Sequence, residues 1–282
     1  MDTPSRHNTD SSAPRPALAK EGGKPLYRTL SPEEFDELTA RILYEDNHLL
    51  IINKKVGEIA QGDKTGDECL SETFKAYIAQ RDGKPGAVFM GIPHRLDRPV
   101  SGCVILAKTS KALERLSAMF RDGQVHKTYR ALCCARPAQD EALLEDWMTR
   151  NEKQNKAYIV KGPAPTKEGQ NFEAKGSDGM RQTGKAPSGA KLARLRYHYL
   201  YSTERYHLVE VELLTGRHHQ IRCQLAHIGC PIKGDLKYGA PRSNPDGGIC
   251  LHAWRICLMH PVRKEPLTVT APVPETWKGV KD

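Results

Sequence analysis

The stretch LARLRYHYLYSTERYHLVEVELLTG, residues 192–216, does most to limit the fold. Two runs rich in apolar and aromatic residues flank a polar turn at Ser202 to Arg205. Such a pair closes as an antiparallel hairpin. Further strand patterns surround it. ILYEDNHLLIINKKVG, from Ile42, reads as strand, turn (Glu45 to His48) and strand, and CVILAK as a short buried strand. KTYRALCC, ICLHAWRICLMH and PLTVTAPVP read as strands too. Helices are interspersed. Ser31 caps one, with Pro32 at its first position and Glu34 three residues after the cap. Leu70, Phe74, Tyr77 and Ile78 share a face of a second, which ends at Gly83. Leu113, Leu116, Met119 and Phe120 stripe a third, from about Thr109 to Asp122, stopped by Gly123. HHQIRCQLAHIG is a short fourth helix closed by Gly229. Strands dominate and do not alternate strictly with helices. The pattern predicts an α+β fold with a mixed, mainly antiparallel sheet rather than a doubly wound one.

Two segments break the rhythm. Residues 1–29 are rich in Ser, Pro, Thr and charge, and predict a disordered tail. Residues 150–191 carry nine Lys and Arg against four Asp and Glu, with little apolar content after AYIV, and predict an exposed insertion. The remaining length, 30–282, suits one domain. No run approaches the roughly 20 apolar residues of a membrane span, and the first twenty residues lack a secretory apolar centre. A cytoplasmic protein is expected, with its eight cysteines as reduced, mostly buried small hydrophobes. The excess of 43 Lys and Arg over 34 Asp and Glu, net +9, points to a polyanionic partner.

Two blocks hold residues suited to chemistry. In GIPHRLDRPVSG, Asp97 stands between Arg95 and Arg98, ahead of turn-forming Pro99, Ser101 and Gly102. Flanking guanidiniums favour an ionised carboxylate, able to act as nucleophile, base or metal ligand. The plainer alternative is an Asp that pairs with Arg and caps a turn. In LLTGRHHQIRCQLAHIGCPIKGDLKYG, Arg217, His218, His219 and Arg222 surround the apolar Ile221 and Leu225. A solvated basic helix start would explain the charges but not those apolar positions.

Together these blocks resemble the RluA-type pseudouridine synthases. HRLDRPVSG and TGRHHQIR carry the resemblance. INKKVGEIAQGD, KTYRA, and the pair GCPIKGDLKYG and LHAWRICLMHP follow in the family's order, so it spans about Ile42 to Pro272 without the insertion. The sequence departs from the family pattern at Lys55, where Pro is common, at Gln61, where His is frequent, and at Val100, where Thr is usual.

The resemblance implies a catalytic domain with a cleft across the sheet that isomerises uridine in structured RNA, transfer RNA or large-subunit ribosomal RNA. Neither cofactor nor metal is implied. Asp97 falls on the catalytic aspartate, which attacks the sugar's anomeric carbon or the uracil ring, or removes a sugar proton. Tyr129 falls on the tyrosine that stacks on the target base and assists proton transfer. Arg222 falls on the basic partner of the aspartate. Arg95 would fill the space of the flipped base, and Ile221 would pack beside the uracil. Arg217 and His219 complete the expected substrate-binding set. A monomer is expected. The rival reading from another class is a catalytically silent RNA-binding or ribosome-assembly protein on the same fold, discriminated by the intact Asp97, Tyr129 and Arg222. A zinc site from Cys223, His227, Cys230, Cys250, His252, Cys257 and His260 lacks a CxxC pair.

Overall fold

A computed structural model describes residues 26–62, 66–163 and 186–280. The chain runs α1 (Pro32–Ala40), β1 (Ile42–Glu45), β2 (Leu49–Lys54), α2 (Leu70–Arg81), β3 (Ser101–Ala107), α3 (Ser110–Arg121), β4 (His126–Cys133) and β5 (Glu141–Asn151). It continues through β6 (Lys156–Val160), β7 (Lys191–Ser202), β8 (His207–Leu213), α4 (Gln220–His227), a 3-10 turn (Leu236–Tyr238), β9 (Leu251–Met259) and β10 (Pro266–Thr270). Among the described residues the ten strands form one sheet in the order β1-β2-β3-β9-β4-β8-β7-β5-β6, with β10 on β9. Every pairing is antiparallel except β3 with β9. The expected mixed, mainly antiparallel α+β architecture is therefore present.

Burial divides by strand alternation. Leu50, Ile52, Val104, Leu106, Tyr129, Ala131, Val209 and Val211 face α2 and α4, through Phe74, Tyr77, Ile221 and Leu225. Leu49, Ile51, Cys103 and Ile105 face the other way, against Ala112 and Leu116 of α3. Strand β2 is thus buried on both faces, which explains its unbroken apolar run. The predicted Ser31 capping box forms, with Ser31 Oγ and the Glu34 carboxylate each accepting the other's backbone N–H.

The parallel β3–β9 contact rests on Gly102. Its φ is +112°, and a Cβ there would lie 2.3 Å from the Ala253 carbonyl oxygen. Glycine alone permits both the backbone conformation and the approach of β9.

Two boundaries read from sequence move. Residues 26–29, taken with the tail, are held: the Tyr27 hydroxyl accepts the Val88 N–H at 2.7 Å, and Arg28 pairs with Glu34 and Glu68. Residues 150–160, taken as the start of the insertion, are instead the end of β5, a turn and β6, with Ala157 buried. The tail up to residue 25 and the insertion from 164 to 185 lie outside the described residues.

Candidate active site

Asp97 opens a turn closed by the Val100 N–H donating to the Asp97 carbonyl at 3.0 Å. Three outside groups pin this turn. Gly57 N–H donates to the Arg98 carbonyl and Ile249 N–H to the Pro99 carbonyl. The third is Lys54, at the end of β2 and with no exposed surface. Its three ammonium protons are shared among four carbonyls, of Val100 (2.6 Å), Lys55 (3.0 Å), Arg98 (3.1 Å) and Asp97 (3.3 Å). Burial lowers the Lys54 pKa to about 8, against the opposing pull of the Glu58 and Asp97 charges.

The Asp97 side chain, about 31% exposed, meets α4. Arg222 Nη1 donates to Asp97 Oδ2 at 3.2 Å, and His219 Nε2 lies 3.5 Å from the same oxygen. Arg222 is also gripped from behind. Its Nε and Nη2 donate to the two carboxylate oxygens of Asp235, at 2.7 and 2.9 Å. Asp235 is 1% exposed and Arg222 5%, so this bidentate pair is buried, a geometry that fixes the guanidinium plane. Burial works against the Arg222 charge, but the carboxylates of Asp235 and Asp97 outweigh it and raise its pKa.

The arginines beside Asp97 in the sequence do not pair with it. Arg98 turns to Asp67 at 2.9 Å, and exposed Arg95 makes no ion pair with a described residue. The charge expected from flanking residues is supplied instead from 125 positions away.

Tyr129, on β4, is buried on the same side of the sheet. Burial, reinforced by the Asp97 carboxylate, pushes its phenol well above the ordinary range, so it stays protonated at neutral pH. His219 precedes α4 in a left-handed conformation, φ +51°. Its Nδ1 is 3.0 Å from the Tyr238 hydroxyl, and burial and the Arg222 charge keep the ring neutral far below its usual pKa. Ile221 is buried with Tyr129 in the same apolar cluster. Arg217 turns to β7, where its Nε donates to the Leu192 carbonyl at 2.9 Å.

A scan against family models matches residues 48–227 to "RNA pseudouridylate synthase". The chain belongs to this family. Curated relatives agree over most of their length. The tRNA pseudouridine synthase C of Salmonella typhi is 31% identical over 249 residues, covering 85% of this chain and 87% of the relative. The ribosomal large subunit pseudouridine synthase C of Vibrio vulnificus is 30% identical over 250 residues, covering 86% and 69%. The solved structure of human RNA Pseudouridylate Synthase Domain Containing 4 superposes with a TM-score of 0.66 at 25% identity, covering 86% of this chain and 92% of that one. The protein is thus an RNA pseudouridine synthase, an isomerase by reaction class.

In and beside this synthase site stand three residues to which sequence reasoning assigned no role. Lys54 ends an apolar strand run, where a lysine with no solvent demands acceptors. Asp235 follows from a buried Arg222 on an apolar helix, which requires a carboxylate. Lys127 lies two residues before Tyr129 near the start of β4, where its side chain reaches toward α3. Its ammonium lies 5.6 Å over the Phe120 ring and 3.7 Å from where a Gly216 Cβ would stand. Burial lowers its pKa, and no described carboxylate pairs with it.

Three of the residues considered for zinc make other contacts. Cys223 Sγ contacts the Ala157 carbonyl, His252 bridges Ser101 and the Ala271 carbonyl, and His260 pairs with Asp46.

Proposed function

We propose that this synthase isomerises uridines in transfer RNA or large-subunit ribosomal RNA, with Asp97 starting the reaction. The observation that carries the reading is the chain Asp97–Arg222–Asp235: an accessible carboxylate is oriented by a guanidinium whose own charge is matched from behind. That arrangement holds the carboxylate in place without consuming it in a closed ion pair.

In this reading the target nucleotide leaves the RNA stack, at a cost of a few kcal/mol. Arg95, exposed and unpaired among described residues, stacks into the gap. Tyr129 and Ile221 receive the uracil, Tyr129 by stacking worth roughly 1–3 kcal/mol. Asp97 attacks the anomeric carbon or the ring, or removes a sugar proton. The bond from the sugar to ring nitrogen one breaks, the base turns, and a bond to ring carbon five forms; that carbon's proton passes to the Asp97 carboxylate or to water, and ring nitrogen one takes up a proton. A protonated Tyr129 is a proton donor in this scheme and not a base. Lys127, desolvated and without a carboxylate, contacts a backbone phosphate of the target strand. His219 packs beside Asp97 at the mouth of the base pocket, while Arg217 shapes the loop between β8 and α4.

The names of the bacterial relatives, one for transfer RNA and one for the large ribosomal subunit, support the substrate class and a cytoplasmic site of action. A relative from Xenopus tropicalis is named mitochondrial. Among the described residues no helix is long and apolar enough to cross a membrane. The proposal includes action as a monomer and chemistry without metal or cofactor. Pseudouridine mapping of total RNA from cells with and without the gene names the uridine, and tritium release from purified RNA labelled at ring carbon five tests turnover. Unchanged maps together with no release would remove this reading.

A further inference from the structure

The face that Asp97 turns to α4 holds two adjacent imidazoles. Ligand atoms of Asp97, His218 and His219 all lie within 4.8 Å of one another. The two rings stack, with centroids 3.8 Å apart and planes 23° from parallel. His218 Nε2 is buried and makes no hydrogen bond with a described residue. The Tyr238 hydroxyl accepts the Ala157 N–H at 2.8 Å and lies within hydrogen-bond reach of both the Ala157 carbonyl, at 3.3 Å, and His219 Nδ1, at 3.0 Å. In the tautomer protonated at Nδ1, where the ring donates to that hydroxyl, the lone pair of His219 Nε2 faces an Asp97 oxygen 3.5 Å away. The buried His218 Nε2 stands beside this pair with no hydrogen bond to a described residue.

We infer that Asp97, His218 and His219 form a site for a divalent transition-metal ion such as Zn²⁺, which blocks the enzyme by occupying its carboxylate. The inference concerns the carboxylate on which the proposed function rests, but metal binding is measurable without RNA.

The donor set is the usual imidazole and carboxylate mixture for zinc. Tetrahedral ligands at about 2.0–2.1 Å from the ion stand about 3.4 Å apart, so the site closes by a small rotation of the partly exposed His218 ring. Tyr238 supplies the outer hydrogen bond that orients a metal-binding imidazole. Charge is compatible. Arg222 already has a bidentate partner in Asp235, so two carboxylates and one guanidinium leave one net negative charge. Arg150 and Lys237 add positive potential nearby. The site therefore selects ions that bond strongly to imidazole, zinc, copper or nickel, over magnesium and calcium.

The test uses the full chain, free of RNA, titrated with Co²⁺ as a spectroscopic stand-in and with Zn²⁺ in competition. One Co²⁺ per chain is expected, with visible bands of nitrogen and oxygen ligation and no thiolate charge-transfer band. H218A should weaken binding about tenfold or more, while H218D, which keeps a ligand, should restore it. Thermal melts show whether each variant is folded. In the turnover assay Zn²⁺ should inhibit the wild type and a chelator should reverse it. H218A, scaled to its own metal-free rate, should need about tenfold more Zn²⁺. No Co²⁺ binding, a thiolate band, or binding and inhibition unmoved by H218A would overturn the inference. Failure of turnover on every RNA would count against the proposed function and leave the spectroscopic result to decide this site.

Discussion

Lys54→Met tests how the turn carrying Asp97 is held. Methionine fills similar space but carries neither charge nor donor. Two effects oppose each other. Burial lowers the Lys54 pKa from 10.5 to about 8, so holding its proton in the fold costs about 3 kcal/mol at 1.36 kcal/mol per unit, a cost methionine removes. Against that, the carbonyls of Val100 and Lys55 lose their donor, while those of Asp97 and Arg98 keep the Val100 and Gly57 N–H groups. Each loss costs about 1–3 kcal/mol if the carbonyl stays buried. At about 4 kcal/mol for the two, the losses win, and K54M is expected to be less stable at pH 7. If the turn instead opens to water, stability recovers but Asp97 moves, and a displacement of about 1 Å costs roughly a hundredfold in rate. Turnover falls in both cases. The pH dependence isolates the lysine. Its pKa is lower folded than unfolded, so between about pH 8 and 10.5 the unfolded chain holds a proton that the fold has released. Wild-type stability should then rise with pH relative to K54M, by about 2 kcal/mol between pH 7.5 and 10. Urea denaturation of both proteins at both pH values gives this double difference, in which other titrating groups cancel. A difference that stays flat across that window would refute the argument that Lys54 is a desolvated anchor.

The remaining predictions concern the site and the sheet. Asp97→Asn should abolish tritium release while its melt and RNA affinity stay close to wild type; normal turnover would remove the centre of the proposed mechanism. Asp235→Asn leaves a buried guanidinium half-matched, at about 3–5 kcal/mol, which at roughly 2–4 °C per kcal/mol lowers the melting temperature by at least about 6 °C. A melt within 2 °C of wild type, roughly 1 kcal/mol by that conversion, would show that the pair organises nothing. Replacing residues 164–188 with a short Gly/Ser linker should weaken RNA binding and flatten its salt dependence, the slope changing by roughly 0.9 for each duplex phosphate that the protein no longer neutralises. An unchanged slope would show that the segment does not touch RNA. Gly102→Ala should lower the urea midpoint, because the added Cβ would lie 2.3 Å from the Ala253 oxygen; an unchanged midpoint would mean β3 and β9 can separate freely.

Local periodicity determined much of this protein. The capped α1, the apolar faces of α2 and α3, the β7–β8 hairpin and the doubly buried β2 are each written in a few neighbouring residues, since side-chain spacing and turn chemistry act over short stretches. The motif around Asp97 likewise marked the carboxylate and its turn. Strand β5 was not legible, because its EALLEDW run puts charge and apolar groups on both faces, and β6 lies at the sheet edge, where burial writes only weakly into sequence. No local pattern decided who pairs with Asp97: only the family resemblance pointed to Arg222, and the physical reason for the pairing lies in the tertiary structure. Sequence proximity favoured Arg95 and Arg98, yet a residue and its neighbours on a tight turn point apart, and Arg98 finds Asp67 instead. Arg222 arrives because α4 follows β8 back across the face that Tyr129 shares, and Asp235 is fixed behind it by the loop into β9. Lys54 reaches the same turn only because β2 pairs with β3 in the register that sets Lys54 opposite Gly102. Such contacts join residues tens of positions apart, and no local pattern encodes them, because their energy depends on the burial that the whole sheet creates.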